Sequence, residues 1–274
     1  MLRLLRANMM RLKKDRIFWI EILLVVAFGI FMCMMNYRSM IHFHNIMMVD
    51  SILFTSLILS GILLSIAISM FVGTEYSDGT IRNKIVIGDK RAHIYFANFF
   101  TCSCIAIFIY MTGILVISVI GIPMFGMIQM KASSFLILFL DGFLLSIAYA
   151  SIYNLIGLLS SNKAYTVAIS ILIGFALLFL ASWMLQAMGQ PKMIDQAQII
   201  DGKTVIETIK NPHYITGIKR TIYQILIDFN PGGQSMQIAS LEMPHPYRMG
   251  IYSMIIIIVS NLAGMFCFAK KDIK

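Results

Sequence analysis

Six long apolar runs, at about 17–35, 52–72, 94–120, 135–159, 164–186 and 249–268, constrain this chain more than any other feature. A run of about 20 apolar residues, coiled as a helix, spans a hydrocarbon core of ~30 Å. Only 13% of the 274 residues are charged and the mean hydropathy is +0.82, against about 25% charged residues in a soluble domain. The expectation is an all-α polytopic membrane protein with six transmembrane helices in a single domain, 1–274.

The net charge of +9 raises nucleic acid as a partner, and position argues against it. With the N-terminus placed in the cytoplasm, the inner segments collect Arg3, Arg6, Arg11, Lys13, Lys14, Arg16, Arg82, Lys84, Lys90, Arg91, Lys163, Lys270, Lys271 and Lys274. The two short outer loops hold only Arg38 and Lys131, and the remaining cations lie in or beside one long loop. This is positive-inside asymmetry: both termini are expected in the cytoplasm and no nucleic acid is implied. The basic first 16 residues lead into a full-length span without a small-residue cleavage site, which speaks against a cleaved signal peptide. Cys33, Cys102, Cys104 and Cys267 sit in or beside apolar runs without a CxxC pair, so they read as packing residues.

Residues 1–16, "MLRLLRANMMRLKKDR", set Leu2, Leu5, Met9 and Leu12 on one side, with Arg3, Arg6, Lys13 and Lys14 largely opposite. That pattern suits a helix lying in the headgroup layer, where basic residues including Arg11 meet anionic lipid; the alternative is an unstructured topogenic tail. Glu21 falls just inside the first span, where Arg16 or a nearby Lys could reach it. His42 and His44 in "HFH" lack the further ligands a metal site needs, so no metal is expected. The second span reads as stopping at Gly73 and the third as broken by Gly121 and Pro123. Asp141 lies about two turns inside the fourth span, either as a pathway residue or with a local partner or outer water. Asn98, Asn154 and Asn261 read as interhelical hydrogen-bond glue.

Residues 187–248 form the one sizeable polar segment, expected outside the cell. Asp201-Gly202 between β-prone residues signals a type I′ hairpin turn. After Asn211-Pro212 and before "NPGG", Ile218, Ile222, Ile225, Leu226 and Phe229 line one face of an amphipathic helix.

Between the second and third spans, residues 77–91 hold a short element. Thr80 suits an N-cap and Gly88 a C-terminal stop, with Ile81 and Ile85 on one face and Arg82, Asn83 and Lys84 on the others. Two turns of helix need a surface to pack on. Glu75, read as following the end of the second span, faces the negative end of its dipole, which suggests a positive partner elsewhere. The bland alternative is a topogenic loop.

"GTEYSDGTIRNKIVIGDKRAHIYFANF", with Glu75-Tyr76, Gly79-Thr80, Ile81-Arg82-Asn83-Lys84, Gly88 and Lys90-Arg91 in that order, resembles the corresponding segment of ABC-2 type transporter permeases. The resemblance is to the small bacterial ones related to bacitracin- and lantibiotic-resistance exporters. "KNPHYITGIKR" and "DFNPGGQ" are similar to that family's outer segment. The resemblance implies that Glu75, Tyr76 and Thr80 to Ile85 belong to a coupling helix that docks in a cytoplasmic ATPase subunit. It also implies an N-terminal helix along the inner leaflet, a second permease copy or homologue, two ATPase copies carrying ATP and Mg, and a bacterial plasma membrane. Asp89 interrupts the basic run, which weakens the carry-over beyond Gly88. No GxxxxGK[ST] loop, HExxH or GxSxG is present, so the chain reads as a non-catalytic permease exporting an amphipathic or hydrophobic substrate such as a peptide antibiotic, lipid or toxin. The rivals are a secondary transporter or channel, for which Glu21 and Asp141 sit too far apart to relay a proton; an intramembrane enzyme; and an immunity or sensor protein that binds its target through 187–248.

Overall fold

The computed structural model describes residues 1–44, 46–200 and 203–272. Six helices are long and apolar enough to cross a membrane. In chain order the elements are α1 (Leu2–Lys13), α2 (Arg16–Phe43), α3 (Ser56–Ser77), α4 (Thr80–Val86), α5 (Arg91–Phe125), α6 (Ala132–Leu159), α7 (Lys163–Met188), β1 (Met193–Ile200), β2 (Lys203–Lys210), α8 (Gly217–Phe229), α9 (Pro231–Ser240) and α10 (Pro246–Lys270). A short 3-10 turn, Val49–Ser51, precedes α3. α1, α4, the end of α3 and the end of α10 gather at one end of the bundle, so both described chain ends lie together there.

α3 is the central helix, packed between α5, α6, α7 and α9; α2, α7 and α10 keep broad apolar faces open to lipid. Four core tyrosines, 95, 110, 149 and 153, reach across to neighbouring helices. Tyr149 stacks on Tyr153 at 6.0 Å, and the hydroxyls of Tyr153 and Tyr110 donate to Gly61 O and Phe139 O, both at 2.9 Å. In these two the phenol tip borrows a helix carbonyl, which keeps its polar atom satisfied inside an apolar bundle, whereas the buried Tyr149 hydroxyl has no partner among the described residues. At the other end the buried Asp50 carboxylate accepts from the N–H groups of Gln129 (3.0 Å) and Met130 (2.9 Å), tying the α2–α3 turn to the α5–α6 turn.

Several boundaries differ from the sequence expectation, each for a local reason. α2 continues through Asn36 to Phe43, with Asn36 turned back onto Met32 O at 2.8 Å; His42 is in its last turn and His44 caps it in the left-handed region. α3 does not stop at Gly73. It runs on to Ser77, and the bare glycine lets Lys163 of α7 approach instead. α5 runs through Gly121 and Pro123 to Phe125, because Pro123 stands in the last turn, where one lost hydrogen bond is tolerated.

The 187–248 segment lies partly within the bundle. β1 and β2 form an antiparallel hairpin, from Met193 opposite Lys210 to Ile200 opposite Lys203; its turn at Asp201-Gly202 lies outside the described residues. α8 begins at Gly217, later than Pro212. Its apolar stripe of Ile218, Ile222, Ile225, Leu226 and Phe229 is exposed, while Ile227 and Asp228 are buried. The helix is therefore inside-out relative to the soluble rule, as an interfacial environment allows. "NPGG" starts a new helix, α9, which threads between α3, α6 and α7. Asn230 Nδ2 donates to Leu177 O at 2.8 Å. Leu177 lies eleven residues before the end of α7 at Met188, roughly 16 Å down that helix at about 1.5 Å per residue.

Candidate functional site: a braced surface helix

The site is assembled from the last turn of α3, the short α4, and the helices on either side. Because α3 runs past Gly73, Glu75 sits inside a helix rather than after one, with its side chain fully buried. The chain then reverses at Gly79 (φ +67), a left-handed position that L-residues with a Cβ adopt at a cost. Thr80 is accordingly the first residue of α4 and not its N-cap; its hydroxyl donates to Glu75 O at 3.0 Å. α4 closes at Gly88 (φ +94) with Gly88 N–H to Ile85 O (2.9 Å) and Asp89 N–H to Lys84 O (3.0 Å), the paired bonds of a Schellman stop.

Glu75 is the hub. Its Oε1 accepts from Arg11 Nη1 of α1 at 2.8 Å and from Lys84 Nζ of α4 at 2.6 Å, and its Oε2 accepts from Asn98 Nδ2 of α5 at 2.7 Å. Asn8 of α1 closes the ring, donating to Asn98 Oδ1 and accepting from Lys84 Nζ at 3.3 Å. Arg11 also donates to Phe71 O (3.1 Å) and lies 3.8 Å above the Phe71 ring. Four helices thus converge on one carboxylate whose acceptor sites are filled by charged or amide donors, the condition under which a buried ion pair holds a single geometry. Beneath it Ile81 is buried against the same bundle.

A second tie lies beside the first. Tyr76 donates to Leu158 O at the end of α6, and Lys271 Nζ donates to Tyr76 Oη and Leu158 O, each at 3.0 Å. Arg91 caps the end of α10 through Phe268 O (3.0 Å), Ala269 O (3.1 Å) and Lys271 O. Partial burial of the Lys271 ammonium pushes its pKa down from 10.5 to about 8. The unfolded chain therefore holds this proton over a range where the folded chain has lost it. Stability should rise as pH climbs from about 8 towards 10.5, the increment being absent below about 8. A thermal-melt series over that range should show a steeper upward slope for the parent than for Lys271→Met; equal slopes would remove the assignment.

The structure sorts the sequence-predicted residues. Glu75, Arg11 and Lys84 come together, and the positive partner sought for Glu75 is this pair. Arg11 therefore leaves the headgroup set, where exposed Arg3, Arg6, Lys13 and Lys14 remain, with Arg3 pairing Asp89 at 3.2 Å. The buried face of α1 is Leu4, Asn8 and Leu12; Leu2 is exposed. Ile81 and Ile85 turn inward, so α4 packs first on its own chain. Its outward face is Arg82, Asn83, Val86 and Ile87, the last two 76% and 71% exposed. Val86, Ile87 and Asn8 carry no local sequence signal for these places, and Asn98 is more than interhelical glue, donating to Glu75.

Glu21 has neither Arg16 nor Lys beside it, and neither of its oxygens finds a hydrogen-bond partner among the described residues. It packs buried near the Ala67 backbone, facing the bundle rather than the headgroups. Asp141 lies buried against Gly250 of α10 with Oδ2 unpartnered. The two carboxyls sit on different helices, α2 and α6, and no side chain bridges them.

Six membrane-length helices with α3 buried among them, and a surface helix braced to them by a buried ionic hub, define a polytopic membrane protein. The family model described as ABC-2 family transporter protein matches residues 4–192, and the chain belongs to that family. It is thus a permease subunit of an ABC transporter, a multi-pass protein of the plasma membrane, from a family whose members work with an ABC ATPase and pair as permeases. No curated protein matches the chain significantly.

Proposed function

We propose that this chain is the membrane half of an exporter that moves an amphipathic or hydrophobic substrate out of the cell, driven by ATP hydrolysis in a separate subunit that carries the ATP and Mg. The substrate class and the direction follow the resemblance to bacitracin- and lantibiotic-resistance permeases. The chain itself contributes no catalytic group in this reading, and α4 is the coupling helix. One observation supports that role above the others: α4 offers Arg82, Asn83, Val86 and Ile87 to the outside, while Ile81 is buried and Lys84 bonds Asn8 of α1 and Glu75 of α3, the carboxylate that Asn98 of α5 also holds. A push on such a helix passes to three membrane-connected elements without first bending a loop. Two apolar side chains in water at 76% and 71% exposure suit a groove on a partner, where each would gain about 1.5–3 kcal/mol on full burial.

The test is co-purification of the ATPase with Val86→Asp/Ile87→Asp. ATPase recovery should fall at least about tenfold, well within what losing two such side chains removes. The permease's own melting temperature should stay within about 2 °C, since exposed positions carry little stability. Full ATPase recovery with the double variant would reject α4 as the docking element.

A further inference from the structure

At the opposite end of the bundle from the Glu75 hub, where α7 ends and α8 begins, a cavity of about 630 Å³ opens. Trp183, Gln186, His213, Tyr214, Lys219 and Tyr223 supply its chemistry, and no carboxylate among the described residues lines it. Two more cations stand behind the wall: Lys192 Nζ lies 5.9 Å and Arg220 5.8 Å from the Tyr214 ring centre. Arg220 is fixed there by donating to Met188 O at 3.1 Å. Among the described residues the ion pairs all involve Glu75 or Asp89, so Lys192, Lys219 and Arg220 have no acidic partner within 4.0 Å.

The chemistry of the walls selects the ligand. An aromatic cage for a foreign ammonium needs free ring faces. Here Tyr214 already carries two of the protein's own cations and Tyr223 carries Lys219 at 5.8 Å. Indole, phenol, imidazole, ammonium and amide groups instead give a lining rich in donors and positive charge. That matches anionic oxygens. Trp183, 5.9 Å from Tyr223 between ring centres, sits in the last turns of a membrane-length helix, the level at which indole rings meet lipid headgroups. We infer that this cavity binds the phosphate-bearing headgroup of an anionic amphiphile at the membrane surface. The volume suits a headgroup with part of its glycerol rather than a whole lipid. This binding stands apart from the coupling role of α4: it is an equilibrium property of the permease alone and needs no nucleotide.

The chain contains two tryptophans, so Trp19→Phe leaves Trp183, in the cavity wall, as the sole tryptophan, selectively excited at the red edge where tyrosine does not absorb. In neutral-detergent micelles, quenching by bromine-chain phosphatidylglycerol should half-saturate at about fivefold lower mole fraction than quenching by bromine-chain phosphatidylcholine, the selectivity about one well-placed cation gives at a membrane surface. Lys219→Gln should erase that preference and Lys219→Arg should keep it. Lys219 is exposed, so neither change threatens folding. Relief of quenching by millimolar inorganic phosphate would support the phosphate site and identify the free ion as a second source; no relief alongside an intact lipid preference would identify the lipid headgroup as the source. Equal quenching by the two lipids, or a preference that survives Lys219→Gln, overturns the inference.

Discussion

Glu75→Ala should destabilise the folded permease by about 3–5 kcal/mol, the usual cost of removing one partner from a buried ion pair. The reason is asymmetry. The carboxylate satisfies Arg11, Lys84 and Asn98 together, and without it two cations face an apolar bundle with only amides and one carbonyl for company. Their escape routes differ: the Arg11 side chain is 31% exposed and Lys84 16%, so Arg11 can swing towards headgroups more easily. Glu75→Gln should therefore remain damaging although it keeps the shape, and adding Lys84→Met should recover part of the loss. A double-mutant cycle on Glu75 and Lys84 in thermal or urea melts of the purified protein should yield a coupling of at least about 1 kcal/mol. If Glu75→Gln melts with the parent, the hub is ornamental. Under the proposed coupling role the variant should also separate two readouts, because the outward face of Val86 and Ile87 is untouched: the ATPase still binds, but substrate-stimulated hydrolysis falls.

Much of this architecture was legible in the sequence, and the remainder shows what hydropathy cannot see. The six spans follow from apolar length alone, since in lipid only a helix satisfies its own backbone. Their ends do not. α2 outruns its apolar run, with Asn36 turned back onto Met32 O, and α3 outruns Gly73, over which Lys163 of α7 packs. The motif around Glu75 was readable as a short helix with a glycine stop. The hub was not, because its members come from residues 8, 11, 75, 84 and 98, and no local period joins them. Glu75 does meet cations, as its place near the end of α3 suggests, but from within the helix and not beyond its end. Amphipathicity leaves orientation open on two helices. On α1 the pattern sets Arg11 with the lipid-facing charges, although the helix buries Asn8. On α8 the apolar stripe is legible and its orientation is not: the stripe faces outward, while Asp228 packs inward. Sequence patterning reports which faces differ; which one turns inward depends on whether the surroundings are water or lipid.

That inward polar side sets the second large effect, expected from Gly232→Ala. α9 enters the bundle with an ordered start: Asn230 accepts from Gly232 N–H at 2.9 Å, donates to Leu177 O at 2.8 Å, and Pro231 supplies the fixed first turn. A Cβ on Gly232 would collide with the Leu177 carbonyl and come within 2.8 Å of Leu178 N. These are backbone atoms of a membrane-length helix and cannot swing aside as a side chain would. Overpacking of this kind costs about 1–3 kcal/mol even where neighbours can adjust, and the upper end applies here. The strain has one cheap outlet, withdrawal of α9 from its groove, and its bonds to α8 and α10 resist it. Gln234 donates to Asp228 O (2.8 Å) and accepts from Ser253 (2.7 Å), while Gln224 and Gln237 both donate to Asp228 Oδ1 at 2.7 and 3.2 Å. Gly232→Ala should therefore lower the melting temperature by several degrees and loosen α9 together, whereas Gly189→Ala, with an ordinary 3.4 Å contact, should do neither. A cysteine in place of Ser235, which is fully buried, reads the second effect. With exposed Cys267 and half-buried Cys104 replaced by alanine, maleimide should spare that thiol beside Gly232 and label it once Gly232 carries a methyl group. Labelling that stays at the parent level, with an unchanged melt, would mean that α9 and α7 are not in backbone contact and that the outer segment rests on the bundle rather than within it.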